Sequence, residues 1–303
     1  MKLKEFDMKD LGRLITAMVT PFKETGEVDF ARAKEFALAL IDTGSDGLLI
    51  GGTTGESPSM NNDEKLELFK SVKDAVGNNA NVIAGTTDNN TYGSIELSKE
   101  AEKLGVDAIL LTVPAYNKPT QEGLIKHFQK IADSVSIPGI LYNVPTRTSL
   151  NMDADTTIKL SKVPNIVGVK EASSDADQIT NIISKTNDDF KIWSGNDNET
   201  LSIMTTGGYG VVSVASNIIG NQVKRMMGFI LDGQMANAVA EHKRLLLFFN
   251  AIFWVTNPIP IRYALNRSGF HMGPPRLPMT EAPEDFKNKF DPVMDMYDMD
   301  LPV

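Results

Sequence analysis

Eight short apolar runs, each followed by a stretch of helical period, constrain this chain more than any other feature. They cover residues 13–19, 47–50, 81–85, 108–112, 139–142, 166–170, 191–194 and 210–213. Strands that alternate with amphipathic helices pair in parallel, because each helix carries the chain back to the edge it left. Ala108-Ile109-Leu110-Leu111 is apolar without alternation, as expected of a strand covered on both faces. Helix starts are marked by Asn61 before Asp63 and Glu64, and by Thr120 before Gln121 and Glu122. Each supplies a side-chain acceptor for free amides and then acid at the positive end of the helix dipole.

Eight such units predict an α/β fold of the (β/α)8 TIM-barrel kind. The competing doubly wound open sheet usually carries a glycine-rich phosphate turn after an early strand. The nearest approach here, Gly208-Tyr209-Gly210-Val211-Val212-Ser213, breaks at its third position and leads into a strand. After about residue 233 the pattern becomes helix after helix: 235–249, a segment entered through Asn257-Pro258-Ile259-Pro260, and 281–296. The expected organisation is a catalytic barrel over 1–232 and a C-terminal helical domain over 233–303 packed on it. No low-complexity linker separates the two, so independent swinging is not expected.

Composition narrows the chemistry. The 303 residues include no cysteine, so disulfides, thiolate metal sites and a cysteine nucleophile are excluded. A net charge of −9 with no long basic run argues against a nucleic-acid partner. No run reaches the roughly 20 apolar residues of a membrane helix, and Met1-Lys2-Leu3-Lys4-Glu5-Phe6-Asp7 lacks a signal peptide's apolar stretch. The expected location is the cytoplasm. His127, His242 and His271 show no metal-ligand spacing, and Asp197 and Glu199 read as a solvated loop face, so neither metal nor dissociable cofactor is expected.

In a parallel barrel the active site gathers at the C-terminal ends of the strands. Lys170 ends the sixth run, and period-2 alternation places it on the face of Ile166 and Gly168. With that face inward, partial desolvation would lower the amine pKa and favour Schiff-base chemistry. Position alone favours instead a surface lysine just past a strand, paired with Glu171. Tyr142 ends the fifth run and could shuttle the protons of carbinolamine dehydration. Arg147, five residues on, could hold a carboxylate by a two-pronged pair. Gly51-Gly52-Thr53-Thr54-Gly55-Glu56-Ser57 could cradle an anion on its amides, or be a tight turn.

Taken in order, these segments resemble the dihydrodipicolinate synthase branch of the pyruvate-dependent class I aldolase family. The resemblance rests on residues 13–22, the Gly-Thr-Thr-Gly-Glu-Ser loop at 52–57, Tyr116-Asn117-Lys118-Pro119, residues 142–148 and Gly168-Val169-Lys170-Glu171-Ala172. Gly195-Asn196-Asp197, Asn257-Pro258-Ile259-Pro260 and Arg276-Leu277-Pro278-Met279 complete it. It implies that Lys170 forms an imine with pyruvate and that Tyr142, Thr53 and Tyr116 relay protons, Tyr116 being inserted from a neighbouring subunit of a homotetramer. It also implies that the amides of Thr53 and Thr54 hold the pyruvate carboxylate, that Arg147 binds the carboxylate of L-aspartate 4-semialdehyde, and that Gly195 and the backbone around Val212 line the pocket. No cofactor is implied, since the protonated imine is the electron sink. The implied reaction is the first committed step towards diaminopimelate and lysine.

Relatives that act on N-acetylneuraminate or 2-keto-3-deoxy acids share the lysine and tyrosine; Thr53-Thr54 and Arg147 favour the synthase branch. A non-catalytic keto-acid-binding barrel would be expected to lose part of this set. Lysine-inhibited members use histidines, an acidic residue and a tyrosine where this chain has Asn62 and Lys65, Gly93, and Ala115; only Ser57 and Asn89 match. The Lys65 ammonium would repel a cationic effector, so weak or absent inhibition by lysine is expected.

Overall fold

Each apolar run becomes a strand: β1 (Leu14–Ala17), β2 (Gly47–Ile50), β3 (Asn81–Gly85), β4 (Ala108–Thr112), β5 (Gly139–Asn143), β6 (Ile166–Glu171), β7 (Lys191–Ser194) and β8 (Gly210–Ser213). The computed structural model describes residues 10–301, so the reading of Met1 to Asp7 lies outside the described residues. All eight strands pair in parallel with their sequence neighbours, and β8 closes on β1 through Ile15↔Val212. The expected (β/α)8 barrel is therefore the fold. The first strand is shorter at both ends than its apolar run, while β5 and β6 each extend one residue further.

The connecting helices are α1 (Phe30–Asp42), α2 (Asn62–Val76), α3 (Thr91–Lys103), α4 (Gln121–Ala132), α5 (Pro145–Thr148), α6 (Ala154–Leu160), α7 (Ala176–Lys185), α8 (Thr200–Thr205) and α9 (Ser216–Leu231). Asn61 and Glu64 form a reciprocal capping box at the start of α2, and Thr120 accepts from the Gly123 amide at the start of α4. Both starts were legible because the cap acceptor and the early acid act on amides that the helix itself leaves unpaired. Then come α10 (Met235–Ala251), α11 (Ile259–Arg267) and α12 (Glu284–Met294). The last begins three residues later than the pattern suggested, because Pro283 holds Ala282 out of helical conformation.

Alternation along the strands sorts the core. Ile15, Leu49, Leu110, Ile140, Trp193 and Val212 pack together inside the barrel, while Ile109, Leu111, Leu141, Val169 and Ile192 pack outward under the helices. On β6 this alternation is broken by one extra residue: Gly139 pairs with Ile166, but Ile140 pairs with Gly168. Ile166 consequently belongs to the outer cluster. The expectation that it shares a face with Lys170 is overturned, whereas Gly168 does lie beneath the lysine.

A Cβ at Gly168 would sit 2.6 Å from the Trp193 ring, so the indole of β7 fills the space that the missing side chain leaves. The C-terminal helices join the barrel's own core: Phe248, Phe286, Phe290 and Met294 cluster with Leu14, Leu48 and Val82. Among the described residues no helix is long and apolar enough to cross a membrane.

Candidate active site

Lys170 leaves the C-terminal end of β6 on the inner face and is 5% exposed. The surface alternative is excluded, and so is pairing with Glu171. That carboxylate points the other way, accepting from the Asn143 amide at 3.0 Å and from the Ser173 backbone at 2.8 Å. Burial lowers the Lys170 pKa from its ordinary value to about 7; the Asp197 carboxylate opposes the shift and the Arg147 guanidinium adds to it. Near neutrality about half the amine is then free, against on the order of one part in three thousand at the ordinary pKa.

Tyr142 stands directly opposite Lys170 in the β5–β6 register, and the Lys170 Nζ lies 4.2 Å from the centre of its ring. Burial pushes the phenol up to about 12, with Arg147 opposing and Glu171 reinforcing. It is therefore a proton donor at neutral pH. Lys170 and Tyr142 line a cavity of about 120 Å³ together with Thr53, Thr54, Arg147 and Gly195. Neither the Thr53 nor the Thr54 amide has a hydrogen-bond partner among the described residues, so both are free for an anion. Arg147, on α5, is oriented by the Asn257 carbonyl, to which its Nη2 donates at 3.4 Å. The cavity can thus offer a nucleophilic amine, a phenolic acid, two free amides and a guanidinium.

Val212 and this chain's own Tyr116 are not among the residues lining this cavity. Val212 is packed inside the barrel beside Tyr142; the residue that reaches the cavity is Val214, two positions on. Tyr116 is 94% exposed, with a left-handed φ of 70°. The expectation for Asp197 is overturned. Instead of lying on a solvated loop it is 2% exposed, accepting from the Ser213 hydroxyl and from the Val214 and Ala215 amides. Burial raises its pKa against those donors and the Lys170 charge.

Sequence reasoning also missed Phe253 and the place of Asn257, both lining the cavity; Asn257 entered there only as part of a helix entry and of a segment in the resemblance. Among the described residues no three His, Asp or Glu side chains converge as a metal-binding group.

A second cavity of about 530 Å³ adjoins the first and shares Thr53, Leu110, Val144 and Arg147 with it. Ser57, Lys65, Asn89 and Ala115 line it, and so does Asp88. The Asp88 charge raises the Lys65 pKa, although burial has the larger effect and lowers it. Asp88 thus supplies beside Lys65 a carboxylate that Gly93 does not.

The chain is similar to known proteins over nearly its whole length. The model of the dihydrodipicolinate synthetase family matches residues 10–296. A 4-hydroxy-tetrahydrodipicolinate synthase from Dehalococcoides mccartyi is 54% identical over 98% of this chain and 100% of its own length. Among solved structures, a dihydrodipicolinate synthase from Bacillus anthracis superposes with a TM-score of 0.94 at 42% identity, covering 96% of this chain and 100% of that one. One from Cyanidioschyzon merolae with lysine bound gives 0.93 at 44% identity, over 94% and 98%. The chain therefore belongs to the dihydrodipicolinate synthetase family.

Proposed function

We propose that the protein condenses pyruvate with L-aspartate 4-semialdehyde to give 4-hydroxy-tetrahydrodipicolinate, the product for which its Dehalococcoides relative is named. The observation that carries this reading is Lys170: a buried amine, half-neutral near pH 7, on a cavity sized for a small keto acid. Its neutral Nζ adds to the pyruvate C2 carbonyl, and water leaves as the imine forms. Loss of a proton from C3 gives the enamine, whose C3 attacks the aldehyde carbon of the semialdehyde. The resulting alkoxide takes up a proton, and the substrate amine then attacks the imine carbon, closing the ring and releasing Lys170. One water is lost overall.

Tyr142 is placed to give and take the protons of these steps, since its phenol stays protonated between them. The Thr53 and Thr54 amides are assigned to the pyruvate carboxylate, Gly195 and the backbone near Val212 and Val214 to the pocket wall, and Arg147 to the semialdehyde carboxylate. Thr53 is assigned with Tyr142 to the proton relay, which Tyr116 completes from a neighbouring subunit. Its exposure in a single chain suits a residue covered on assembly, and we take the assembly to be a homotetramer. The barrel over 1–232 and the helices over 233–303 are taken as its two structural parts, and the cytoplasm as its location. Lysine is proposed not to inhibit it appreciably.

Borohydride reduction in the presence of pyruvate, followed by peptide mapping, should leave a stable adduct on Lys170. A map without that adduct would end the imine mechanism. A coupled assay with aspartate semialdehyde beside a panel of 2-keto acids and sugar acids should show turnover only with pyruvate and the semialdehyde.

A further inference from the structure

Asn143 and Glu171 end β5 and β6 one residue beyond Tyr142 and Lys170, and they stand opposite each other in the register just as Tyr142 and Lys170 do. Alternation turns this second pair away from the cavity, and both side chains are fully buried. The Asn143 Nδ2 donates to the Glu171 carboxylate at 3.0 Å. The same carboxylate accepts from the Ser173 amide at 2.8 Å and from the Gln178 Nε2 of α7 at 3.4 Å. All three donors are neutral, and burial pushes the Glu171 carboxyl up to about 7 against them. A carboxylate buried among neutral groups costs stability, and none of the steps assigned to the cavity uses it.

Asn143 binds a second segment as well. Its Oδ1 accepts from the Met152 amide at 2.9 Å, and its Nδ2 lies 2.8 Å from the Asn151 Oδ1. These contacts close residues 144–151, the stretch that contains α5 and Arg147, onto the end of β5. Backbone pairing alone fixes this end of the barrel less firmly, because the β5–β6 register slips between Gly139 and Ile140. A side-chain bond just beyond the reactive pair sets which residues stand opposite. The Lys170 Nζ lies 4.2 Å from the centre of the Tyr142 ring, and a displacement of about 1 Å in such a pair can cost about a hundredfold in rate.

We propose that Glu171 is a positioning residue: by holding Asn143 it keeps the Tyr142 phenol where it can pass protons to the Lys170 adduct, and keeps the Arg147 segment closed beside them. The inference rests on the imine reading above and deepens it. Glu171 touches no reacting atom and acts through the reach of its hydrogen bonds. Its charge also acts on Tyr142, whose pKa it raises, so reach and charge must be separated by experiment.

Glu171→Gln removes the charge but keeps the length and an acceptor oxygen, whereas Glu171→Asp keeps the charge but is one methylene too short to reach Asn143. Timed borohydride quenching of pyruvate on Lys170 gives, for each protein, a maximal rate of imine formation and a half-saturating pyruvate concentration. In Glu171→Asp the maximal rate should fall on the order of 10- to 100-fold, while half-saturation moves less than about threefold, the size of an ordinary surface substitution. Glu171→Gln should stay within about threefold of wild type in both. Asn143→Ala, which removes the other half of the contact and leaves Glu171 its remaining donors, should be as slow as Glu171→Asp.

A Gln variant as slow as the Asp variant would show that charge decides, and would overturn the proposal. So would a wild-type rate in Glu171→Asp or Asn143→Ala, even with stability lost in denaturant unfolding, because the contact would then serve the fold alone. If wild type itself gives no adduct, the imine reading falls and takes this inference with it.

Discussion

Burial alone does most of the work of activating Lys170, and Arg147 adds to it from the rim of the same cavity. The two effects can be separated by removing the guanidinium. Arg147→Ala should lower kcat/KM for aspartate semialdehyde by at least about tenfold, the value of one hydrogen bond to a charged group. Pyruvate trapping should survive, but its pH profile should move. A nearby cation favours the neutral amine, so its loss raises the Lys170 pKa, and trapping that normally rises through about pH 7 should rise at higher pH. Measuring trapping against pH in both proteins checks this; an unchanged profile would mean that the arginine does not act on the lysine. The strand-end positions of Lys170 and Tyr142 were legible in the sequence. The opposite orientation of Glu171 was not, because it depends on Asn143 and Ser173 being brought beside it.

At the scale of elements, β6 shows how far periodicity reaches. The run was found in the right place, yet the extra residue against β5 put Ile166 on the outer face. A two-residue period cannot show a register shift that exists only in the pairing of two strands. The larger cavity is likewise a product of neighbouring elements, with Lys65 from α2 and Asp88 from the loop before α3. Lys65 already sets an ammonium in the field of Asp88, so an added lysine meets a like charge there, and no histidine lines the cavity. Initial rates should fall by less than half at millimolar lysine; stronger inhibition would show that the Asp88 carboxylate is available to the effector after all.

At the scale of the whole molecule, the loop that carries Thr53 and Thr54 is tied to the C-terminal helices. Glu56 and Arg262 form an ion pair of 2.7 Å with side chains 2% and 3% exposed. Arg262 also donates to the Thr20 and Met272 carbonyls, and Glu56 accepts from the Arg276 amide. Arg262→Met would leave the Glu56 carboxylate buried without its cation, and should cost about 3–5 kcal/mol in denaturant unfolding. Adding Glu56→Gln should restore part of it; a single substitution that changes stability by less than about 1 kcal/mol would show that the loop is held by other contacts.

The sequence by itself determined the barrel, the helix starts and the strand ends that bear Lys170 and Tyr142, because hydrophobic period, cap chemistry and parallel topology are written locally. It also carried the family resemblance. Only the tertiary structure decided that Asp197 is buried, that Val214 rather than Val212 reaches the cavity, and that Asn257 meets Thr54 and Arg147 across separations of 203 and 110 residues. Those relations arise when the barrel closes and the C-terminal helices pack on it, and no local pattern in the chain encodes them.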